Sequence, residues 1–139
     1  MFEDYLDKAR AMRKAADGLI EKIVDSATQI NENMGVIREW KPGSYTANVS
    51  VRMYGGDPYK CVQTHDSTHD PSWNPTVESL WMQYHGTTKE TARPFKHPKG
   101  AHDMYLTGEF MIWTDGSIKR AKMDTAYSPD EFAQAWENA

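Results

Sequence analysis

A single cysteine, Cys61, stands among the 139 residues. That excludes an internal disulfide, a CxxC redox pair and any multi-cysteine zinc site, and it suits a reducing compartment. No apolar run approaches the roughly 18 residues of a membrane span, and Met1-Phe2-Glu3-Asp4-Tyr5 lacks the basic-then-apolar order of a secretory signal. A soluble chain without membrane insertion or secretory export is therefore expected. The excess of acidic over basic side chains leaves a net charge of only −4, and the longest basic stretch is Lys119-Arg120-Ala121-Lys122. General affinity for nucleic-acid phosphates is not expected. Leu, Ile, Val and Phe are scarce, 20 residues in all, which alone would point to disorder. Five Trp, seven Tyr and eight Met restore the apolar surface needed for one ordinary domain or a few very small ones.

The aromatic residues are unevenly placed. Only Phe2 and Tyr5 precede Arg38; the others lie between Trp40 and Trp136. In the leading part, Phe2, Leu6, Ala9, Arg13, Ala16, Ile20, Ile23, Ala27, Ile30, Met34 and Ile37 recur at steps of four and three, a heptad seam. Acidic residues in the first turns and Gly35 after Met34 predict one helix from about residue 3 to 33. Arg13 interrupts the seam and Gly18 weakens it, so residues 19 to 34 form its best part. The seam needs a partner, either the chain's own C-terminal region or copies of itself. In the second case Ile20, Ile23, Ala27, Ile30 and Met34 carry a homo-oligomer, with a trimer favoured by Ile at both seam positions.

The remainder reads as short strands and turns. Val49, Val51 and Met53 alternate with polar residues before Gly55-Gly56, and Tyr59 and Cys61 follow, a hairpin signal that returns at Phe110 to Ala121 around Asp115-Gly116. Tyr45, Val51 and Met53 match Tyr105, Met111 and Trp113 at a constant offset, and Trp81 matches Trp136. Two copies of one small unit are implied. The fold class expected is α+β: an N-terminal heptad-bearing helix (residues 1–37), a first β module (38–84), a polar linker (85–97) and a second, degenerate β module (98–139), both mainly antiparallel.

Catalytic signatures are missing: no P-loop, dinucleotide fingerprint, GxSxG or HExxH occurs. The stretch His65-Asp66-Ser67-Thr68-His69-Asp70 matches no metal-ligand spacing and reads as a hydrogen-bonded surface loop. Cys61 lies inside a predicted strand, away from any helix N-terminus, and is expected to be buried and inert. No catalytic residue, metal or cofactor is assigned. Flat aromatic rings flanked by hydrogen-bonding side chains suit the C–H faces of sugars. Trp40, Tyr45, Tyr59, Trp81 and Trp136 fall at framework positions and are expected to pack. Trp73, Tyr54, Trp113 and Tyr127, at turns and strand ends, are the candidates for exposed platforms, with Asn74 and His65 as polar neighbours.

Trp40-x-Pro-Gly-x-Tyr45, then Tyr59-x-Cys61-x-x-x-His65, Asp70-x-x-Trp73-x-Pro75 and Ser79-Leu80-Trp81 resemble the small chitin-binding carbohydrate modules at the ends of chitinases. Pro98-x-Gly100-Ala101-His102-Asp103-x-Tyr105-x-x-Gly108-Glu109, Ser128-Pro129 and Trp136 are similar to a second tandem copy. Behind an N-terminal helix, the arrangement resembles small proteins encoded in the tail regions of bacteriophages and prophages. The resemblance implies two compact three-stranded modules in a non-catalytic, tail-associated virion protein made in the host cytoplasm. Its implied partners are bacterial surface polysaccharide and other virion tail proteins. Three departures stand out: Asn48-Val49 replaces the usual Gly-Asp, Ile118 replaces an aromatic on the second return strand, and Tyr127 replaces the Trp before Pro. The alternative is a structural virion decoration, connector or tail-fibre assembly factor whose aromatic faces meet protein rather than glycan.

Overall fold

The computed structural model describes residues 1–139 throughout. The order is α+β, with helices α1 (Phe2–Lys22) and α2 (Ala27–Glu32) ahead of nine short strands, and the chain divides into two units, Met1–Tyr84 and His85–Ala139.

In the first unit, β2 (Val51–Tyr54), β3 (Asp57–Cys61) and β5 (Trp81–Gln83) form an antiparallel sheet, while β1 (Ser44–Tyr45) pairs separately with β4 (His65–Asp66). Tyr54 pairs with Asp57 across Gly55 and Gly56, both at positive φ (59° and 88°). A two-residue hairpin loop needs that geometry to match strand twist, and glycine adopts it without penalty. The sheet's two faces have separate cores. Val51 and Met53 on one face join Ile20, Ile23, Val24, Ile30, Ile37 and Tyr84. On the other, Tyr45, Tyr59, Cys61, Leu80 and Trp81 cluster, with Trp40, Tyr54 and Val77 packed against them. Each large side chain so buried contributes roughly 1.5–3 kcal/mol.

In the second unit, β6 (Arg93–Pro94), β7 (Phe110–Ile112), β8 (Ile118–Ala121) and β9 (Trp136–Asn138) form one sheet, antiparallel except for the parallel β6–β7 pair. Its core is Tyr105, Met111, Ala121, Ala135 and Trp136, with Phe95 and Trp113 packed on it. Three rings are layered here: His85 stacks on Tyr105 at 3.7 Å, and Phe95 lies 5.4 Å from Tyr105, nearly parallel.

Three expectations are corrected. The single helix over residues 3 to 33 is two helices, because Ser26 breaks the run by accepting the backbone N–H of Gln29 at 3.2 Å as an N-cap. The seam residues Ile20, Ile23 and Ile30 face the chain's own β2, with Ala27 and Met34 packed on the same cluster. They therefore pack within one chain, the first of the two coverings that the seam allowed. Residues 1–37 and 38–84 accordingly belong to one unit. The expected linker, residues 85–97, is part of the second unit: Arg93–Pro94 is a strand, Gly86 bridges Phe110, and Phe95 enters the core. Gly86 is needed there, since a Cβ would collide with the Thr91 carbonyl.

Candidate functional site

The loop leaving β4 is built from three consecutive Asx turns. Asp66 Oδ1 accepts the Thr68 N–H at 2.9 Å, Asp70 Oδ1 that of Ser72 at 3.0 Å, and Asn74 Oδ1 that of Thr76 at 2.9 Å. Each also accepts the neighbouring hydroxyl, at 2.5 Å in all three cases. A carboxylate or amide every fourth residue fixes the backbone locally, which lets the loop hold shape with little apolar burial. Hydrogen bonds from the Thr68 hydroxyl and N–H hold the Asp66 carboxyl below its usual pKa. Ser67, fully buried, anchors the loop by donating to the Gly43 carbonyl at 3.0 Å while accepting the Gly43 N–H. Trp73 stands on this scaffold 43 % exposed. Asn74 is half-buried and occupied by Thr76.

Three of the other four candidates are half-buried and packed on neighbouring rings. Tyr54 is half-buried edge-on to Trp40 at 5.8 Å and Tyr59 at 6.4 Å. His65 packs edge-on against Trp81 at 5.7 Å and donates through Nδ1 to the Gln63 carbonyl at 2.6 Å. Trp113 meets Phe95 edge-on at 5.3 Å and belongs to the second core. A turn or strand end therefore did not expose these rings; neighbouring aromatic residues closed over them.

Tyr127, in contrast, is 56 % exposed and lies edge-on to Phe132 at 6.3 Å. It lines an open cavity of about 380 Å³ together with the apolar Pro98, Met104, Met123 and Phe132 and the polar His97, Lys99, Asp124 and Thr125. Two of these polar residues are held by internal hydrogen bonds. Asp124 Oδ1 accepts both the N–H and the hydroxyl of Thr107, at 2.8 and 2.9 Å, and these bonds lower its pKa. His97 Nε2 meets Glu131 Oε1 at 2.6 Å while Nδ1 lies 3.0 Å from the Pro98 carbonyl. Acceptors on both ring nitrogens, Pro98 first and Glu131 next, raise the His97 pKa and favour the imidazolium. Phe132, Met123 and the His97–Glu131 pair escaped sequence reasoning. Their only signal was proximity to Tyr127 in the chain for Met123, Glu131 and Phe132, and none for His97.

The groups with catalytic side-chain types are restrained. Cys61 Sγ lies 3.8 Å from His65 Nδ1, yet it is fully buried, it donates to the Gln63 carbonyl at 3.2 Å, and desolvation pushes its pKa up. That is the opposite of an activated thiolate. His85 and Glu109, 2.8 Å apart, sit within the stacked Tyr105 layer rather than in a cleft. No group of three or more His, Cys, Asp or Glu side chains converges to hold a metal ion. No protein-family model matches the chain, and no curated protein matches it.

Proposed function

We propose that this chain is a non-catalytic, tail-associated phage virion protein that contacts host-surface polysaccharide through two related β modules. The observation carrying the sugar-binding part is the pairing of an exposed aromatic ring with a pre-shaped polar surround, Tyr127 over its cavity and Trp73 on its Asx-turn loop. An exposed ring offers a flat apolar face, and side chains already fixed by hydrogen bonds lose little entropy when a ligand docks.

Kinship between the modules is supported by their internal geometry. Cys61 pairs with Trp81 in the first, Ala121 with Trp136 in the second. Tyr45 meets Trp81 edge-on at 4.9 Å and Tyr105 meets Trp136 at 5.2 Å, with interplanar angles of 69° and 70°. Asn48 N–H donates to the Cys61 carbonyl and Gly108 N–H to the Ala121 carbonyl, each at 2.8 Å, and both residues have positive φ. Asn48 thus fills a left-handed position that glycine fills in the other unit, which accounts for its departure from the Gly-Asp of the chitin-binding pattern. Two weak sites on one chain would gain by avidity on a repeating polymer.

The test is a cell-wall pull-down and a glycan array with the wild type, Trp73→Ala and Tyr127→Ala. Binding by the wild type, and loss of most of it in at least one variant with an unchanged melting midpoint, is expected. Equal retention by all three would end the receptor reading. It would leave the structural one, in which these rings bury against another virion protein.

A further inference from the structure

The leading part of α1 has almost no partner within the chain. From Phe2 to Met12 every residue but Leu6 is exposed, and Phe2, Tyr5 and Met12 are 72 %, 68 % and 73 % accessible. The first residue of α1 buried in the core is Ile20. A helical segment this long is marginal in water unless something covers its apolar stripe.

We propose that the covering element is the α1 of a second copy of this chain, packed antiparallel. The heptad seam places Phe2, Leu6, Ala9 and Arg13 on the contact line, Glu3 and Arg10 along one flank, and Tyr5 and Met12 along the other. In an antiparallel pair the flanks meet their own kind. Setting Leu6 opposite Ala9 of the other copy brings Glu3 opposite Arg10 and Tyr5 opposite Met12, each twice by symmetry. Opposite charges meet on one edge, and sulfur meets ring on the other. The Phe2 ring then covers the stem of Arg13, whose guanidinium is already engaged by Asp17 and the Val36 carbonyl. A parallel pair would instead set Tyr5 against Arg10 and match no charges. The charge order, acidic Glu3, Asp4 and Asp7 followed by basic Lys8, Arg10, Arg13 and Lys14, therefore selects the antiparallel arrangement. This interface uses none of the core-packed residues Ile20, Ile23, Ala27, Ile30 and Met34 and is independent of sugar binding.

Sedimentation equilibrium of the full chain tests it with Glu3→Arg, Arg10→Glu and their equimolar mixture. The wild type is expected to be a dimer at tens of micromolar. Each variant alone faces two like-charge contacts and should dissociate at least tenfold more readily, with an unchanged melting midpoint at submicromolar concentration, where the chain is monomeric. The mixture restores every pair and should recover the dimer mass. A wild type that stays monomeric at these concentrations, a trimer mass, variants that dimerise as tightly as wild type, or a mixture no tighter than its components would each overturn the proposal.

Discussion

Tyr84 closes the first unit and carries its hydroxyl into the helix-facing core. It donates to the Val24 carbonyl at 2.5 Å, in the turn that separates α1 from α2, and burial raises its pKa. Tyr84→Phe leaves that carbonyl without this donor and should cost about 1–3 kcal/mol in denaturant unfolding, with the fold retained. Asp17 is the second informative residue. Hydrogen bonds from Arg38 first and Arg13 next hold its carboxyl at about 2, well below the ordinary aspartate range. A depressed folded-state pKa means stabilisation that is complete above about pH 4 and lost as pH falls through about 2. Because the three side chains are partly solvent-exposed, the contribution should not exceed about 1 kcal/mol. Unfolding free energies of wild type and Asp17→Asn should therefore differ at pH 5 and converge towards pH 2. Neither role is legible in sequence, where Arg13 only interrupts an apolar seam.

The N-terminal helical region divides into segments with different energetics. Residues 20 to 37 fill the core above β2, so Ile30→Ala, at a fully buried position, should destabilise by about 2–5 kcal/mol. Phe2→Ala, on the exposed stretch, should leave monomer stability within about 0.5 kcal/mol, as surface substitutions do. Thermal unfolding of both variants at submicromolar concentration, where association is absent, makes the comparison direct. The seam itself was readable from its spacing. Its division was signalled by Ser26-Ala27-Thr28-Gln29, an N-cap with a Gln three residues on, which the longer apolar repeat concealed. What covers each stretch could not be read, because a heptad states only that a face must be buried and is silent on which chain buries it.

At the scale of the molecule, two aromatic cores stand beside one small aliphatic core, because a chain so poor in Leu, Ile, Val and Phe has too few of them to fill all three. If each unit carries a sugar contact, Trp73→Ala combined with Tyr127→Ala should abolish retention on a polysaccharide surface. Each single variant should keep measurable, faster-dissociating binding, which surface plasmon resonance on immobilised cell-wall glycan would read. The sequence by itself determined the α+β class, the hairpin turns and the framework rings Tyr45, Tyr59, Trp81 and Trp136, all buried, with Trp40 half-buried against the first aromatic core. Those features depend on local rules: glycine at positive φ, alternation along a strand, and large rings too costly to leave wet. Only the tertiary structure decided that residues 85–97 join the second unit, that Tyr54, His65 and Trp113 are half-buried on neighbouring rings, and that His97, Met123 and Phe132 line the cavity beside Tyr127. Exposure is a property of what lies above a residue in space, and those neighbours come from parts of the chain that no local pattern connects.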